Sequence, residues 1–293
     1  MKKTRPKGPE GFEAFYRELY QDRWPGLRRA LLEPKRSVAR VNAFATRSDA
    51  LEALVPAPWC AQAYESTTTI APPNDRTPME YFIMDGASIL AAQALDPQPG
   101  DDILDLCAAP GGKSLMLAEK IAEAGTLVAN DRSASRRGRL KRVLESYIPN
   151  PVRERIRVTG HDATKWCVFE TEAYDRILLD APCSSERHVL HDDNALNDWS
   201  LSRVKQLAQR QYAMLASALL ALRVGGRMVY STCALAPQEN DAIVEKLLKK
   251  KGDKVQLIEA AGAIGEPTEL GWHILPDTTP YGPIYYAVLE RKA

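Results

Sequence analysis

From about residue 98 onward, short apolar runs of strand length alternate with longer stretches of helical periodicity. This alternation constrains the fold most, because parallel strands need a crossover connection and that connection is usually a helix. It predicts an α/β domain with a parallel sheet and helices on both faces. The last run suggests an antiparallel strand at the sheet edge. The predicted strands are 102–106, 126–130, 156–160, 176–179, 227–231, 255–258 and 284–289, and the predicted helices are 113–124, 133–147, 201–223 and 238–250.

The first 75 residues have a different character. They contain helical, basic and tryptophan-bearing segments and end in the proline-rich connector Ala71-Pro72-Pro73-Asn74. A chain of 293 residues is long enough for one large domain and a smaller one. We therefore predict a small, mainly helical N-terminal domain at residues 1–75 and a catalytic domain at residues 76–293.

The net charge of +1 hides two basic regions. Residues 1–40 carry eleven lysines and arginines against five acids, and residues 131–157 carry nine against three. Such patches fit phosphate binding by counterion release. The alternative is an ordinary solvated helix face.

Cysteine and histidine usage argues against a metal site. The five cysteines include no Cys-x-x-Cys pair, and the four histidines lack metal-ligand spacing. No apolar run approaches the roughly 18–20 residues that span a bilayer, so we expect no membrane association. Without a secretory signal pattern, the expected location is cytoplasmic, and a mitochondrial location would require a presequence that has been removed.

Polar residues follow each of the first five predicted strands of this domain. Ligands of open α/β sheets bind beyond the carboxyl ends of the strands, so these residues should converge on one crevice. In chain order they are Gly111-Gly112-Lys113, Asp131, Asp162, Asp180 and Cys233.

The glycine-rich turn matches neither a dinucleotide fingerprint nor a Walker A loop, because Cys107 stands where the first Walker glycine belongs. A kinase or ATPase is therefore a weak alternative. A glycine pair lets the backbone approach a ligand closely. Asp131 suits ribose hydroxyls and Asp162 an adenine amine, although a lone aspartate is more often a helix cap or turn residue.

Two cysteines occupy matching places after strands. Cys183 ends Asp180-Ala181-Pro182-Cys183, and Cys233 ends Ser231-Thr232-Cys233. At a ligand-binding edge, a thiolate with a lowered pKa can attack an electrophilic carbon. Cys60 and Cys167 are interpreted as small buried hydrophobic residues, and Cys107 as packed against the sheet.

Three motifs together resemble the RNA cytosine-5 methyltransferases of the Sun-domain family, in their order and spacing. They are Asp-Leu-Cys-Ala-Ala-Pro-Gly-Gly-Lys (105–113), Asp-Ala-Pro-Cys (180–183) and Ser-Thr-Cys-Ala-Leu-Ala-Pro-Gln-Glu-Asn (231–240). The resemblance covers roughly residues 75–291 and is strongest to the short subgroup with mitochondrial rRNA- and tRNA-modifying members. The family usually has glycines after Pro-Cys, where this chain has Ser185-Glu186-Arg187, which leaves the substrate open.

The resemblance implies a Rossmann-like S-adenosylmethionine-dependent methyltransferase fold with a mostly parallel seven-stranded sheet. It makes Cys233 the nucleophile that adds to carbon 6 of cytosine, and Cys183 the residue that assists product release. Asp180 would hydrogen-bond the pyrimidine, and Lys113 would orient Asp180 and hold the methionine end of the cofactor. The implied cofactor-binding residues are Cys107, Ala108, Ala109, Pro110, Gly111, Gly112, Lys113, Asp131, Arg136, Asp162, Ala163 and Asp180.

The implied partner is rRNA or tRNA, with the target base flipped out or unpaired. Specificity is expected from the N-terminal domain, the basic face or a partner protein. His188 and His191 are candidates for RNA contact, with ordinary loop hydrogen bonding as the alternative. Tyr81, Phe82 and Trp199 are candidates for stacking on bases, with core packing as the alternative.

Two other functions compete. A DNA cytosine-5 methyltransferase would use Cys183 as nucleophile, would leave Cys233 without a role and would need a target-recognition domain for which the 50 residues between the cysteines leave no room. A non-catalytic RNA-binding ribosome assembly factor with a vestigial cofactor pocket is the other alternative.

Overall fold

A computed structural model of the protein describes residues 7–73 and 77–293. These residues form a small sheet and a large sheet flanked by helices. The helices are α1 (Gly8–Tyr20), α2 (Trp24–Leu32), α3 (Asp49–Glu52), α4 (Gly86–Gln93), α5 (Gly112–Ala118), α6 (Ala134–Tyr147), α7 (Asn150–Arg153), α8 (Glu186–Leu190), α9 (Asp193–Asn197), α10 (Leu201–Ala221) and α11 (Asp241–Lys251). The strands are β1 (Val38–Val41), β2 (Val55–Pro56), β3 (Ala63–Glu65), β4 (Tyr81–Met84), β5 (Asp102–Asp105), β6 (Thr126–Asn130), β7 (Ile156–Thr159), β8 (Tyr174–Asp180), β9 (Leu222–Thr232), β10 (Val255–Ile258), β11 (Glu266–Pro267), β12 (Trp272–Ile274) and β13 (Ile284–Arg291).

The large sheet confirms the predicted fold class. Its order is β7-β6-β5-β8-β9-β13, and the neighbours from β7 to β9 are parallel. β13 is antiparallel to β9, and both β10 and β12 pair with the far side of β13. β13 is therefore an inner strand, not the predicted edge strand. The short strands β11 and β12 raise the count among the described residues to nine instead of seven.

Helices cover both faces of the large sheet. One apolar core joins it to α4, α5 and α6, and the other joins it to α10 and α11. α10 begins where the Ser200 side chain accepts a hydrogen bond from the Arg203 amide, and its buried residues recur on one face. It ends at Ala221, and Gly225-Gly226 lie within β9. The helix is therefore two residues shorter than the predicted 201–223.

The N-terminal part contains the predicted helices but also an unpredicted sheet, β2-β3-β1-β4. Strands of two to four residues are too short to show an alternating pattern, which explains the omission. Arg40 of β1 is 1% exposed and forms an ion pair with Glu119, which follows α5. This ion pair connects the small sheet to the layer of helices on the large sheet. The predicted boundary between residues 75 and 76, like Asn74 of the connector, lies outside the described residues.

α1 and α2 pack through aromatic rings onto the segment that follows Cys183. Phe12, Tyr16 and Trp24 form a buried cluster with Trp199, and Tyr16 stacks on Trp24 with a centroid distance of 5.3 Å. Trp199 is thus a core residue and unable to stack on a base. Tyr81 is also buried, and its hydroxyl donates to the Ala71 carbonyl.

A buried histidine should make stability depend on pH. Burial lowers the pKa of His273 in β12 from 6.5 to about 4. Between these values the unfolded chain binds a proton that the native protein does not, so stability is lost as pH falls from 6.5 towards 4. We expect the free energy of unfolding of His273→Gln, measured with urea, to fall by about 3 kcal/mol less than that of the wild type over this interval. The exposed His188→Gln is the control, and equal pH slopes for wild type and His273→Gln would contradict the expectation.

Candidate active site

The loop between β5 and α5 is shaped by close packing. Gly111 has a φ of +126°, and a Cβ there would lie 2.9 Å from Val143 Cγ1 of α6. A Cβ at Gly112 would lie 2.7 Å from the Phe82 ring, which therefore packs on the loop. Buried Asp105 accepts a hydrogen bond from Ser114 Oγ at 2.7 Å, and burial raises its pKa to about 7. The loop is consequently held against the sheet edge with its backbone facing a cavity.

A cavity of about 410 Å³ lies beside this loop, at the carboxyl ends of β5, β6 and β7. The Asp131 side chain in its wall is 5% exposed, and its Oδ2 has no hydrogen-bond partner although Arg136 Nε lies 3.3 Å away. An unpartnered buried carboxylate oxygen is costly, so it points to a hydroxyl-bearing ligand. Four of the predicted cofactor-binding residues line the cavity: Cys107, Asp131, Arg136 and Ala163.

Asp162 has a more local role. It caps the short helix 163–168 and forms an ion pair with Arg132 at 3.2 Å. It lines neither this cavity nor two further cavities beside it, of about 290 and 480 Å³. Burial opposes its ionisation, but hydrogen bonds from Thr164 and the charges of Arg132 and Arg210 together outweigh burial and lower the pKa of Asp162. Gly111 also lines none of these cavities, and it packs against Val143 of α6. Neither residue is placed against a ligand by the geometry alone.

The remaining loop residues line a second cavity of about 290 Å³, which includes Phe82, Lys113 and Asp180. Of the predicted cofactor residues, those that line it are Cys107, Ala108, Ala109, Pro110, Gly112, Lys113 and Asp180. Because Cys107 lines both cavities, they are neighbours along one crevice. Burial and the nearby Asp105 raise the pKa of the Cys107 thiol, so Cys107 stays protonated.

A hydrogen-bonded group of Lys113, Asp180 and Ser231 lies at this crevice. Lys113 Nζ donates to Asp180 Oδ2 at 2.8 Å, and Ser231 Oγ donates to Asp180 Oδ1 at 2.9 Å. Burial alone would lower the pKa of Lys113, but the ion pair with Asp180 outweighs it and raises that pKa. Asp180 is therefore held as an oriented carboxylate whose side chain remains 31% exposed.

The two thiols meet in a third cavity of about 480 Å³, which Lys113 and Asp180 also line. Cys183 ends the loop after β8 and Cys233 follows the adjacent strand β9, so the sheet brings residues 50 apart to a distance of 3.0 Å between sulfurs. The hydrogen bond from the Cys183 thiol, assisted by Ser185, lowers the pKa of Cys233. The same contact, with burial and the nearby Glu186 and Glu239, raises the pKa of Cys183. Cys233 is thus the thiol of the pair that ionises more readily.

Three supporting residues were not identified from the sequence. Glu239 accepts hydrogen bonds from the Ser184 amide at 3.0 Å and from Gln211 Nε2 at 2.8 Å. Gln211 also donates to the Pro182 carbonyl, so both residues hold the loop that carries Cys183. Glu186 accepts from the Leu235 amide at 2.8 Å and from the Tyr16 hydroxyl. The only sequence signals were the stretch Ser185-Glu186-Arg187, where the family usually has glycines, and the run Pro237-Gln238-Glu239-Asn240.

The two histidines of this segment differ. His191 Nε2 lies 3.1 Å from the Leu31 carbonyl, which is the ordinary loop contact named as its alternative role. The side chain of His188 is 67% exposed and lies 3.9 Å from Asp192. Across residues 7–73 and 77–293, no cluster of three or more His, Cys, Asp or Glu side chains could hold a metal ion, and no helix is long and apolar enough to cross a membrane. All five cysteines are free.

Comparison with known proteins gives a consistent result. A sequence profile described as 16S rRNA methyltransferase RsmB/F matches residues 92–290. The 5-cytosine rRNA methyltransferase NSUN4 of Bos taurus is 38% identical over 83% of this chain and 75% of its own length. The protein of the same name from Mus musculus is 34% identical over 96% and 88%. A mitochondrial tRNA (cytosine(34)-C(5))-methyltransferase of Danio rerio is 41% identical over 58% and 46%.

Solved structures share the fold. A methyltransferase homolog protein from Pyrococcus horikoshii superposes with a TM-score of 0.80 at 24% identity, covering 96% of this chain and 94% of that one. NSun6 from the same organism superposes with a TM-score of 0.77 at 19% identity, covering 98% of each chain. These similarities establish the architecture, N-terminal part included.

Proposed function

Because this chain belongs to the RsmB/F family of RNA methyltransferases, in its mitochondrial-type subgroup, we propose that it methylates carbon 5 of a cytosine in RNA through a covalent adduct with Cys233. The observation that carries the proposal is the thiol pair, with a sulfur–sulfur distance of 3.0 Å, beside the Lys113–Asp180 ion pair. One thiol of lowered pKa, one of raised pKa and an oriented carboxylate are the groups that such a reaction needs.

The residues of the crevice fit S-adenosylmethionine as the methyl donor. The unpartnered Oδ2 of Asp131 suits a ribose hydroxyl, and the cavity of about 410 Å³ has the size of a small-ligand site. The loop 107–113 would hold the amino-acid end, with Lys113 opposite the carboxylate. Bound there, the cofactor would supply an electrophilic methyl group next to the thiol cavity.

The side chains around the thiols then have separate tasks. The Cys233 thiolate adds to carbon 6 of the target cytosine, which makes carbon 5 nucleophilic. As the thiolate adds, nitrogen 3 takes up a proton from solvent, and the Asp180 carboxylate, fixed by Lys113 and Ser231, accepts a hydrogen bond from that N–H and stabilises the protonated ring. After methylation, the carbon-5 proton passes to the Cys183 sulfur while the Cys183 thiol proton moves to the departing Cys233 sulfur. The electron pair of the carbon–hydrogen bond forms the double bond between carbons 5 and 6, and the bond between Cys233 and carbon 6 breaks to release the product.

The substrate is proposed to be rRNA or tRNA. The relatives named as rRNA enzymes align over most of this chain, which makes rRNA the first substrate to test. Exposed cations of α6 (Arg139, Lys141 and Arg142) are suited to the RNA backbone, and the N-terminal part or a partner protein would supply specificity. The Danio rerio relative is mitochondrial by name, which makes a mitochondrial location the one to examine first.

The proposed activity is tested by supplying tritiated S-adenosylmethionine with unmodified small-subunit rRNA or tRNA transcripts. We expect tritium in RNA, and bisulfite sequencing should then place 5-methylcytosine at a defined position. Deoxyribonucleotide versions of the same sequences serve as the control. Methylation of the DNA versions alone would favour the DNA methyltransferase, and cofactor binding without transfer to any RNA would favour the assembly factor.

Asp131 supplies a direct test of the cofactor assignment. We expect Asp131→Ala to weaken S-adenosylmethionine binding by about 10- to 100-fold, because charge-assisted hydrogen bonds contribute about 1.5–3 kcal/mol. Isothermal titration calorimetry measures this, with the exposed Asp253→Ala as the control for loss of one negative charge. Equal affinities in the two variants would exclude Asp131 from the cofactor site.

A further inference from the structure

Two buried glutamates that the proposed chemistry does not use lie directly behind Cys183. Glu186 and Glu239 are both 0% exposed. Burying a carboxylate is costly unless hydrogen bonds compensate for the lost water. Both carboxylates bind the residue next to Cys183: Glu239 accepts from the Ser184 amide at 3.0 Å, and Glu186 accepts from the Ser184 hydroxyl. Because burying two carboxyl groups beside a reactive thiol costs stability, we infer that they have a function there.

The surroundings of Cys183 are rich in negative or ionisable oxygen. Besides the glutamates, the groups that face it are the Cys233 sulfur and the phenol of Tyr230, whose hydroxyl donates to the Glu239 carbonyl. One backbone donor also contacts it, because the Cys233 amide donates to the Cys183 sulfur at 3.3 Å. The nearest cation of its own segment is engaged elsewhere, because Arg187 donates to the Leu31 and Glu33 carbonyls at 3.0 and 2.8 Å.

The surroundings of Cys233 differ. Its sulfur shares a hydrogen bond with the Cys183 sulfur 3.0 Å away, and the Ser185 hydroxyl contributes a second hydrogen bond. Asp180 opposes ionisation of Cys233, but the Asp180 charge is paired with Lys113 at 2.8 Å. The two sulfurs share one cavity, and Glu186 adjoins both segments, because it also accepts a hydrogen bond from the Leu235 amide at 2.8 Å and opposes ionisation of both thiols. Glu239, which holds the Ser184 amide, opposes ionisation of Cys183.

We propose that Glu186 and Glu239 are positioning residues that keep Cys183 protonated, so that Cys233 alone is available as a thiolate. This rests on the proposed function for the roles of the two cysteines, but the protonation states belong to the free protein. The carboxylates repel a second negative charge at Cys183, and they fix its loop so that the thiol donates to Cys233. Glu186 lies in the stretch Ser185-Glu186-Arg187, where the family usually has glycines.

The glutamates influence each other and are enclosed by few other ionisable groups. Burial and the neighbouring Glu186 raise the pKa of Glu239 to about 7. Tyr16 is the other titratable group that contacts Glu186, and Gln211 is the neutral partner of Glu239. The repulsion by Glu239 therefore strengthens as pH rises through 7, which is the range in which cysteine thiols begin to ionise.

The test measures initial rates of iodoacetamide alkylation of each cysteine by peptide mass spectrometry from pH 6 to 10, without RNA or cofactor. In the wild type, we expect Cys233 to react at lower pH than Cys183. In Glu239→Gln and in Glu186→Gln, the Cys183 profile should move to lower pH, and its rate at pH 8 should rise about tenfold. The exposed Glu259→Gln is the matched control and should leave both profiles unchanged.

Thermal unfolding identifies a variant that fails to fold, and the wild-type profiles alone still test the order of ionisation. Reaction of Cys183 ahead of Cys233 in the wild type would overturn the inference, as would an unchanged Cys183 profile in both folded variants. Failure of RNA methylation with the expected alkylation profiles would instead remove the proposed function and leave the electrostatic inference standing.

Discussion

Cys233→Ala should abolish the covalent adduct with RNA that carries 5-fluorocytosine at the target site. Release requires loss of a proton from carbon 5. Fluorine replaces that proton and cannot leave as a cation, so an enzyme that attacks carbon 6 remains attached to such RNA. Loss of the nucleophile should also reduce methyl transfer by about 10⁴-fold or more, the scale seen when other covalent enzymes lose theirs. Denaturing gel electrophoresis measures the adduct, and tritium incorporation measures the transfer.

Cys183→Ala should give the opposite phenotype. It leaves the attacking thiol in place but removes the group that assists release, so we expect an adduct even with ordinary RNA and little turnover. Cys167→Ala is the matched control, because Cys167 is a free cysteine outside the thiol cavity. An adduct that survives in Cys233→Ala and disappears in Cys183→Ala would reverse the assignment and favour chemistry of the DNA methyltransferase type.

Asp180→Asn should lower the rate of methyl transfer by about 10²–10³-fold, the range measured when one preorganised electrostatic group is removed. Asparagine keeps the shape of the side chain but loses the charge that Lys113 and Ser231 orient. Single-turnover rates with saturating RNA separate this effect from substrate binding. Cofactor affinity measured alongside should change much less than the rate.

A double-mutant cycle with Lys113→Met extends this test. Because Lys113 and Asp180 act as a pair, the double variant should be nearly as active as the worse single variant, with non-additive effects on the rate. Urea unfolding provides the control for stability, since Asp180→Asn leaves the mostly buried Lys113 ammonium without its counter-charge. Strictly additive losses would mean that Lys113 does not work through Asp180.

The sequence predicted the large sheet well, because its strands and helices are long enough to show their periodicities. β6 and β10 have the predicted bounds, and β5 and β7 differ by one residue. Prediction from the sequence failed where elements are short, because strands such as β2 and β3, with two and three residues, show no periodicity. Trp199 was ambiguous for a related reason, since an aromatic residue has the same pattern whether it lies in a core or stacks on a ligand.

The sequence by itself determined the fold class, the family, and the fact that two cysteines follow strands at the ligand-binding edge. It left those cysteines chemically alike, apart from the family resemblance. Only the tertiary structure made them unequal, because a thiol's pKa depends on the charges and donors within a few ångströms, wherever they lie in the chain. Hydrogen bonds with Cys183 and Ser185 lower the pKa of Cys233, whereas the contact with Cys233, burial and the nearby Glu186 and Glu239 raise the pKa of Cys183. Glu239 lies 56 positions from Cys183 in the sequence, and only the packing of β8 against β9 brings it there.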